Sequence, residues 1–251
     1  MLMPKRLVEP LPEDVKVPDH VAIIPDGNRR WAREHKLPTF EGHRRGFLAT
    51  PKLVRAAREL GVHTLTIWAF STENWNRSKE EIAYLMKMYE WFVGKHLAES
   101  KRDGARIYHL GRKDRIPKRL KEMLVRAEQE TVKNEKHVMN IALDYGGQDE
   151  ILRAIGKAKK GENLFEEIGK YQGKYPIYKL AEYLDTAGQP YPYVDLIIRT
   201  SGEQRTSGLY CWQGAYAELY FEKGHFPEFT PEKLRQAIID YGRRGRRFGG
   251  N

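Results

Sequence analysis

The sequence contains a single cysteine, Cys211. One thiol cannot form an intrachain disulfide, and this composition is typical of a reducing compartment, so we expect a cytoplasmic protein rather than a secreted one.

Long apolar runs are also missing. No segment approaches the ~18 apolar residues of a membrane-spanning helix, and residues 1–18 lack the apolar centre of a signal peptide. Contact with a membrane is therefore expected to be peripheral.

Acidic residues are outnumbered by basic ones. The 34 aspartates and glutamates stand against 44 lysines and arginines, which gives a formal net charge of +10. This excess predicts a polyanionic partner, which could be nucleic acid, anionic lipid headgroups or diphosphate substrates. The sequence contains no known nucleic-acid-binding motif, and its arginines cluster in loops after predicted strands rather than on one helix face. We therefore expect no nucleic-acid partner.

Short β-rich runs alternate with longer helical patterns along the chain. The runs that predict strands are residues 20–24, 64–70, 106–110, 138–143, 195–199 and 218–221. The patterns that predict helices are residues 44–60, 79–101, 117–134, 148–159 and 231–241. This alternation predicts an α/β fold with a mainly parallel central β-sheet flanked by helices, in one domain over residues 20–251 that follows an N-terminal extension over residues 1–19. Residues 161–192 are the least periodic and are expected to form a surface excursion.

Ligands of parallel sheets bind beyond the carboxyl ends of the strands. The first predicted strand is followed there by Asp26-Gly27-Asn28-Arg29-Arg30-Trp31 and an apparent helix. A carboxylate, a glycine that permits close backbone approach and arginines at a helix start favour a phosphate and metal site. The tripeptide Asp-Gly-Asn is also ordinary turn chemistry. His43 is predicted to open the next helix, either as a ligand donor or as a cap or surface group.

The second predicted strand is followed by a polar loop, residues 71–78. Its hydroxyl and amide side chains can hydrogen-bond a ligand oxygen, its guanidinium can bind phosphate and its indole can cover an apolar chain. These groups belong to Ser71, Asn74, Arg77 and Trp75. The loop also fits a helix entry in which Ser78 is the N-cap and Glu81 completes a capping box. Both interpretations can hold together.

The fifth predicted strand leads into another polar loop, residues 199–208. The guanidinium groups of Arg199 and Arg205 flank a turn and suit a diphosphate, each charge-assisted hydrogen bond contributing roughly 1.5–3 kcal/mol. A solvated basic loop is the alternative. Glu218 then starts an otherwise apolar strand, where a carboxylate is either paired structurally or binds metal.

A series of sequence blocks resembles the signatures of the cis-prenyltransferases, the undecaprenyl diphosphate synthase family. The blocks follow the family's order between His20 and Gly250, and they are Asp-Gly-Asn-x-Arg-Trp, Gly-His-x-x-Gly, Ser-x-Glu-Asn-Trp-x-Arg, Asn-x-Ala-x-x-Tyr-Gly-Gly, Arg-Thr-x-Gly-Glu-x-Arg-x-Ser, Trp-Gln-x-Ala-Tyr-Ala-Glu and Arg-Arg-Phe-Gly-Gly. The chain does not resemble the trans-prenyltransferases, which are all-helical and bind magnesium through Asp-Asp-x-x-Asp, a motif absent here.

The resemblance implies a fold, a cofactor and an activity. The fold would contain an apolar substrate tunnel, lined in the family at the positions of Ala69 and the helix 79–101, and the protein would be a homodimer. The cofactor would be Mg²⁺. The activity would be condensation of isopentenyl diphosphate units onto an allylic diphosphate starter, giving a Z-polyprenyl diphosphate of medium or long chain for lipid-carrier biosynthesis.

Carried over block by block, the resemblance assigns roles to individual residues. Asp26 would hold magnesium and help ionise the allylic diphosphate, while Asn74 and Ser71 would assist condensation and the loss of a proton. The residues around the allylic diphosphate would be Gly27, Asn28, Arg29, Arg30, Trp31 and His43. A mobile loop over the site would contribute Thr72, Glu73, Trp75 and Arg77. Isopentenyl diphosphate would be bound by Arg199, Arg205, Thr206 and Ser207.

Two further elements would act on the second substrate in the family. Glu218 would contribute to its magnesium site from across the dimer interface. The C-terminal element Arg247-Phe248-Gly249 would reach toward it. The basic cluster formed by Arg243, Arg244, Arg246 and Arg247 has a second interpretation, which is contact with anionic headgroups where a long product is released.

The chain departs from the family pattern at a few positions. Thr39 stands where bacterial relatives usually carry an arginine, so one ligand of the allylic diphosphate would be missing, and Arg44 or Arg45 could replace it. Gln148 stands where arginine is common, and Gly208-Leu209-Tyr210 replaces the usual Asn-Phe-Leu.

A non-catalytic partner subunit on the same fold is the alternative function. Such a subunit is expected to lose the metal carboxylate and the Asn-Trp-x-Arg loop, and this sequence has both.

Overall fold

A computed structural model describes residues 6–173 and 175–245. Its central sheet has six strands, β1 (His20–Ile24), β2 (Thr64–Ser71), β3 (Ala105–Leu110), β4 (His137–Tyr145), β7 (Leu196–Arg199) and β8 (Glu218–Phe221). All six are parallel, and they lie side by side in the order β3-β4-β2-β1-β7-β8. All six agree with the predicted runs to within about two residues, so the prediction of one α/β domain with a parallel sheet is confirmed.

Six helices are connected to these strands in the described part of the chain. They are α1 (Asn28–Glu34), α2 (Thr39–Glu59), α3 (Lys79–Arg102), α4 (Lys118–Glu130), α5 (Gly147–Lys157) and α6 (Pro231–Gly242). The predicted start of α2 was wrong, because the helix begins at Thr39, directly after Pro38 as N-cap. His43 therefore lies inside α2 rather than at its first residue, and its position in the helix determines the direction in which its side chain extends.

The strands at the centre of the sheet are buried on both faces. In β1, Val21 and Ile23 belong to one hydrophobic cluster, whereas Ala22 and Ile24 belong to the cluster on the opposite face. This arrangement explains why β1 reads as a continuous apolar run rather than an alternating one. Its neighbours on either side are β2 and β7, so the loops after these three strands meet at one edge of the sheet.

The excursion over residues 161–192 contains an antiparallel hairpin that was not predicted. Its strands are β5 (Glu167–Tyr171) and β6 (Tyr175–Tyr178). Four of the five residues in β5 are exposed, so the strand carries no apolar alternation that the sequence could reveal. The rings of Tyr171, Tyr175 and Tyr193 pack together and attach the hairpin to the domain.

The segment before β1 packs against the same domain. Val8 is buried in the main core, and Val15 and Val17 pack against that core. The guanidinium of Arg235 in α6 donates a hydrogen bond to the carbonyl of Pro10 at 2.9 Å. Within residues 6–173 and 175–245, no helix is both long enough and apolar enough to cross a membrane.

Candidate active site

A cavity of about 620 Å³ lies at the carboxyl ends of β1, β2 and β7. One end is polar, and most of the predicted site residues line it. They are Asp26, Gly27, Asn28, Arg29, Arg30, His43, Ser71, Glu73, Asn74, Arg77, Arg199 and Ser207. The other end is apolar and runs between the sheet and the helices α2 and α3, with Phe47, Ala69, Leu85, Tyr89 and Phe92 in its wall. The cavity therefore joins a cationic compartment to an apolar one.

Asp26 lies between two guanidinium groups. One carboxylate oxygen accepts a hydrogen bond from Arg30 at 2.9 Å, and the other accepts from Arg199 at 2.8 Å. Burial alone would raise the pKa of Asp26, but the hydrogen bonds and charges of Arg199 and Arg30 outweigh burial and lower it. Asp26 is therefore an ionised carboxylate at neutral pH, in a rigid position at the end of β1.

Gly27 permits two loops to approach each other. Its φ of 95° lies in the left-handed region, and a Cβ at this position would lie 2.5 Å from Nδ1 of His225 and 2.6 Å from Oγ of Ser201. The predicted need for a glycine here has therefore two physical reasons, one of backbone conformation and one of space.

Ion pairs connect the loop after β7 to α1. Glu203 accepts from Arg30 at 2.5 Å and pairs with Arg205 at 2.5 Å. Arg199 donates to the carbonyl of Arg205 and to Oγ of Ser207, both at 2.7 Å. The Nε atom of Arg199 is buried and has no hydrogen-bond partner among the described residues. A buried donor without a partner is costly, so this atom is suited to an oxygen of a bound anion.

The loop after β2 forms a short 3₁₀ helix, Thr72–Asn76. The backbone N–H of Ser71 donates to the side-chain oxygen of Asn74 at 3.3 Å, which positions the Asn74 side chain at the wall of the cavity. Ser78 is the N-cap of α3, as predicted, and its Oγ accepts from the backbone N–H of Glu81 at 3.2 Å.

The side chain of Glu81 does not complete the predicted capping box at Ser78. It turns toward the cavity residues, where it contacts Nε2 of His43 at 3.1 Å and accepts from Arg77 at 3.0 Å. Burial lowers the pKa of His43, and the nearby charge of Arg77 lowers it further, although the carboxylate of Glu81 opposes the change. The imidazole of His43 is thus neutral at neutral pH. A neutral imidazole carries one N–H, so His43 donates it either to Glu81 or to a ligand.

Trp75 faces away from the cavity in this structure. Its indole N–H donates to Asp144 at 2.8 Å, and its ring packs edge-on against Phe70. Asp144 is fully buried and also accepts from Nε of Arg115 at 2.8 Å. Trp75 therefore anchors the loop that carries Asn74, and its expected role over an apolar chain stays a prediction.

The other predicted site residues lie outside the cavity wall. The indole N–H of Trp31 donates to Glu228 at 2.9 Å, so this ring supports α1 from behind. Thr72 donates to Glu73 at 2.7 Å. Arg205 and Thr206 lie in the loop after β7 without lining the cavity.

Glu218 is not brought to Asp26 within the described part of this chain. It starts β8, where it pairs with Leu196 in register, whereas Arg199 pairs with Phe221 at the other end of the same two strands. Its carboxylate accepts from Arg244 at 2.9 Å. A role in a metal site therefore requires a second subunit. Arg246, Arg247, Phe248 and Gly249 lie outside the described residues.

Arg44 and Arg45 do not line the cavity. Both contact Glu41, at 2.6 Å and 2.9 Å, in the exposed first turns of α2. They are therefore poor replacements for an arginine at Thr39.

The sequence interpretation missed Arg33, which lines the cavity one helical turn after Arg29. The spacing of four residues in α1 was the signal that could have identified it.

Asp26 and Glu73 are the carboxylates in the cavity wall. Among the described residues, no group of three or more His, Cys, Asp or Glu side chains could hold a metal ion. Mg²⁺ in phosphate-transfer sites uses one or two carboxylates together with phosphate oxygens and water, so it does not require such a group. Asp26, ionised and at the cavity wall, fits a magnesium ion that arrives with a diphosphate substrate.

Comparison with known proteins extends these observations. The family model described as "Putative undecaprenyl diphosphate synthase" matches residues 24–249. An isoprenyl transferase from Bacillus thuringiensis subsp. konkukian is 40% identical over 247 residues, which cover 96% of this chain and 92% of the relative. An isoprenyl transferase from Aquifex pyrophilus is 41% identical over 237 residues, which cover 94% of this chain and 97% of the relative.

Solved structures share the fold. Lavandulyl diphosphate synthase from Lavandula x intermedia, in complex with dimethylallyl diphosphate, is 34% identical with a TM-score of 0.83, covering 93% of this chain and 98% of that one. A probable undecaprenyl diphosphate synthase from Campylobacter jejuni is 28% identical with a TM-score of 0.74, covering 93% and 99%. Together with the cavity, these matches show that the chain belongs to the undecaprenyl diphosphate synthase family of isoprenyl transferases.

Proposed function

We propose that this protein is a cis-prenyltransferase that condenses isopentenyl diphosphate with an allylic diphosphate and so extends a Z-polyprenyl chain. The observation that carries the proposal is the cavity itself, whose cationic end suits diphosphates and whose apolar end suits an isoprenoid chain. The complex of lavandulyl diphosphate synthase with dimethylallyl diphosphate supports an allylic diphosphate as one ligand class.

The allylic diphosphate would lie beside the loop after β1. Arg30 and Arg77 supply guanidinium charge there, and neutral His43 would donate its single N–H to a phosphate oxygen once the contact with Glu81 is exchanged. Gly27 lines the cavity beside this position, and the space that a Cβ would need there is filled by Ser201 and His225. Breaking the bond between the allylic carbon and the diphosphate oxygen places charge on the leaving group, which these donors stabilise.

Isopentenyl diphosphate would lie beside the loop after β7. Arg199 and Ser207 line the cavity on that side, and the unpartnered Nε of Arg199 would gain a phosphate oxygen. Arg205 contacts Glu203 at the rim and would turn inward to complete this group. The double bond of isopentenyl diphosphate then forms the new carbon–carbon bond, and a proton leaves from the adjacent carbon. Ser71 and Asn74 would assist that transfer.

Magnesium would be held by Asp26 and the substrate phosphates, where it supplies charge neutralisation of the leaving diphosphate. Within the described part of the chain, Oδ2 of Asp26 accepts a hydrogen bond from Arg199 alone, so it keeps a lone pair for the ion, and phosphate oxygens would compete with Asp26 for Arg30 and Arg199. Glu218 would serve the second substrate only from a partner subunit. Exposed apolar side chains on α5 and β8, namely Leu152, Ile155 and Leu219, support the proposed homodimer, since exposed apolar surface often marks an interface.

Medium or long products are proposed because Ala69 leaves space in the cavity wall. Each isoprene unit of five carbons gains about 4 kcal/mol on burial at ~0.8 kcal/mol per carbon, so a long product leaves slowly into water. Release at a membrane surface, with lipid-carrier biosynthesis as the destination, would follow. Arg244 is held by Glu218 and Asp240, so headgroup contact would depend on Arg243 and on residues beyond 245.

The test is incubation of the purified protein with labelled isopentenyl diphosphate, magnesium and starters of several lengths, followed by sizing of the extracted products. We expect a ladder of products that grows by five carbons. If no starter is extended although diphosphates bind, the protein is a non-catalytic partner subunit. The presence of Asp26 and Asn74 in one cavity favours the enzyme.

A further inference from the structure

Five arginines line the cavity: Arg29, Arg30, Arg33, Arg77 and Arg199. Three of them are already held by carboxylates of the chain. Arg30 contacts Asp26 and Glu203, Arg77 contacts Glu81, and Arg199 contacts Asp26. A ligand that binds any of these three meets a guanidinium whose charge is already partly compensated by a carboxylate of the chain.

Arg29 and Arg33 differ from these three. Their side chains make no ion pair or hydrogen bond with any residue in the ranges 6–173 and 175–245. Both are exposed, and they lie four residues apart in α1, so their side chains extend from the same face of the helix toward the cavity. The carboxylate next to Arg33 is that of Glu34, and it contacts Nε2 of His225 at 3.0 Å rather than Arg33.

From these observations we infer that Arg33 acts with Arg29 as a capture site for the terminal phosphate of a diphosphate that enters the cavity. Unpaired guanidinium groups present their full charge and their planar donors to an incoming phosphate without an exchange of partners. Arg33 thereby becomes a binding residue for the allylic diphosphate, the substrate placed beside the loop after β1. The identity of that substrate rests on the proposed function, whereas the capture of a diphosphate does not.

A purely structural role for Arg33 makes a different prediction. Arg33 lies in the last turn of α1, where a cation stabilises the carboxyl end of a helix. In that case Arg33→Gln would lower the melting temperature slightly and leave ligand binding unchanged. The capture site predicts the reverse, because the side chain is exposed and no described residue depends on it.

The experiment is isothermal titration of inorganic pyrophosphate into the full chain and into Arg33→Gln, Arg33→Lys and the double variant Arg29→Gln/Arg33→Gln. Arg126→Gln is the control, since Arg126 is 73% exposed on α4, away from the cavity, and the variant loses the same charge. We expect about tenfold weaker binding for Arg33→Gln, a larger loss for the double variant and an intermediate value for Arg33→Lys. Melting temperatures should be unchanged.

Kinetics supply the second readout. Arg33→Gln should raise the KM for the allylic starter about tenfold with little change in kcat, and Arg126→Gln should change neither. The inference is overturned if Arg33→Gln binds pyrophosphate like the unmodified protein, or if Arg126→Gln weakens binding equally. It is also overturned if the unmodified protein binds no pyrophosphate. Failure to extend any starter would contradict the proposed function alone, because the titration still decides the role of Arg33.

Discussion

The carboxylate of Asp26 accepts a hydrogen bond from the guanidinium of Arg199 at 2.8 Å, across 173 positions of the chain. The contact forms because β1 pairs with β7 in register, with Ile24 opposite Arg199. In the proposed reaction Asp26 contacts magnesium and Arg199 contacts isopentenyl diphosphate. The pair would therefore link the two diphosphate positions directly.

Asp26→Ala is expected to reduce turnover by at least about a hundredfold, because it removes the carboxylate that is proposed to hold magnesium at the leaving group. Arg199 keeps its bonds to Ser207 and to the carbonyl of Arg205, so the fold should survive. Steady-state rates with circular dichroism spectra check both statements. Asp114→Ala is the control, since that aspartate is 62% exposed and outside the cavity. A near-normal rate for Asp26→Ala would remove Asp26 from the reaction.

Chelation should stop the reaction reversibly. Two adjacent diphosphates carry more negative charge than the cavity arginines can neutralise while three of them remain paired with carboxylates. We expect EDTA to abolish product formation and excess magnesium to restore it. Full activity in chelator would contradict the metal requirement, and the melting temperature in EDTA should stay unchanged because no cluster of metal ligands is seen among the described residues.

Steady-state kinetics should distinguish the two diphosphate positions. Arg205→Ala is expected to raise mainly the KM for isopentenyl diphosphate, and His43→Ala mainly the KM for the starter. Loss of one charge-assisted bond of roughly 1.5–3 kcal/mol corresponds to about ten- to more than a hundredfold weaker binding. Arg205 is a better target than Arg199 for testing the isopentenyl diphosphate position, because replacing Arg199 would also remove a hydrogen bond to Asp26. Initial rates with each substrate varied in turn provide the measurement, and the opposite pattern would interchange the two positions.

Ala69→Leu should shorten the products. Ala69 lies at an irregularity in the pairing of β2 with β4, its carbonyl accepts from the hydroxyl of Tyr89, and it lines the apolar end of the cavity. A larger side chain would occupy volume needed by the growing chain. Overpacking without shortening would instead cost roughly 1–3 kcal/mol of stability.

The control for this prediction is Ala142→Leu. Ala142 is fully buried in the cluster on the other face of the sheet and does not line the cavity. This variant should lower the melting temperature and leave the product ladder unchanged. The same outcome for Ala69→Leu would remove Ala69 from chain-length control and assign that control to the α3 residues in the wall.

The sequence motifs predicted the polar end of the cavity well. Asp26 follows β1, and Ser71 and Arg199 are the last residues of β2 and β7. Parallel strands bring such residues to one edge of the sheet. The apolar wall was harder to predict. Phe47 and Tyr89 come from the inner faces of α2 and α3, and the rotation of a helix against a sheet is decided by packing rather than by local pattern.

Glu81 is a second case in which the sequence predicts only part of the structure, here within a single capping motif. Its position correctly predicted the beginning of α3, because its backbone N–H contacts Ser78. Its side chain instead contacts His43, which is 38 residues away in sequence. Neither local propensity nor spacing indicates a partner at that distance. The conformation of Trp75 against Asp144 is a comparable case, with 69 residues between them.

The most direct test of the central claim is the geometry of the new double bond. The protein would be incubated with ¹³C-labelled isopentenyl diphosphate, magnesium and an allylic starter, and the extracted product examined by ¹³C NMR. The account predicts a polyprenyl product in which every added unit has the Z configuration. Added units of E configuration, or no incorporation with any allylic starter, would contradict it.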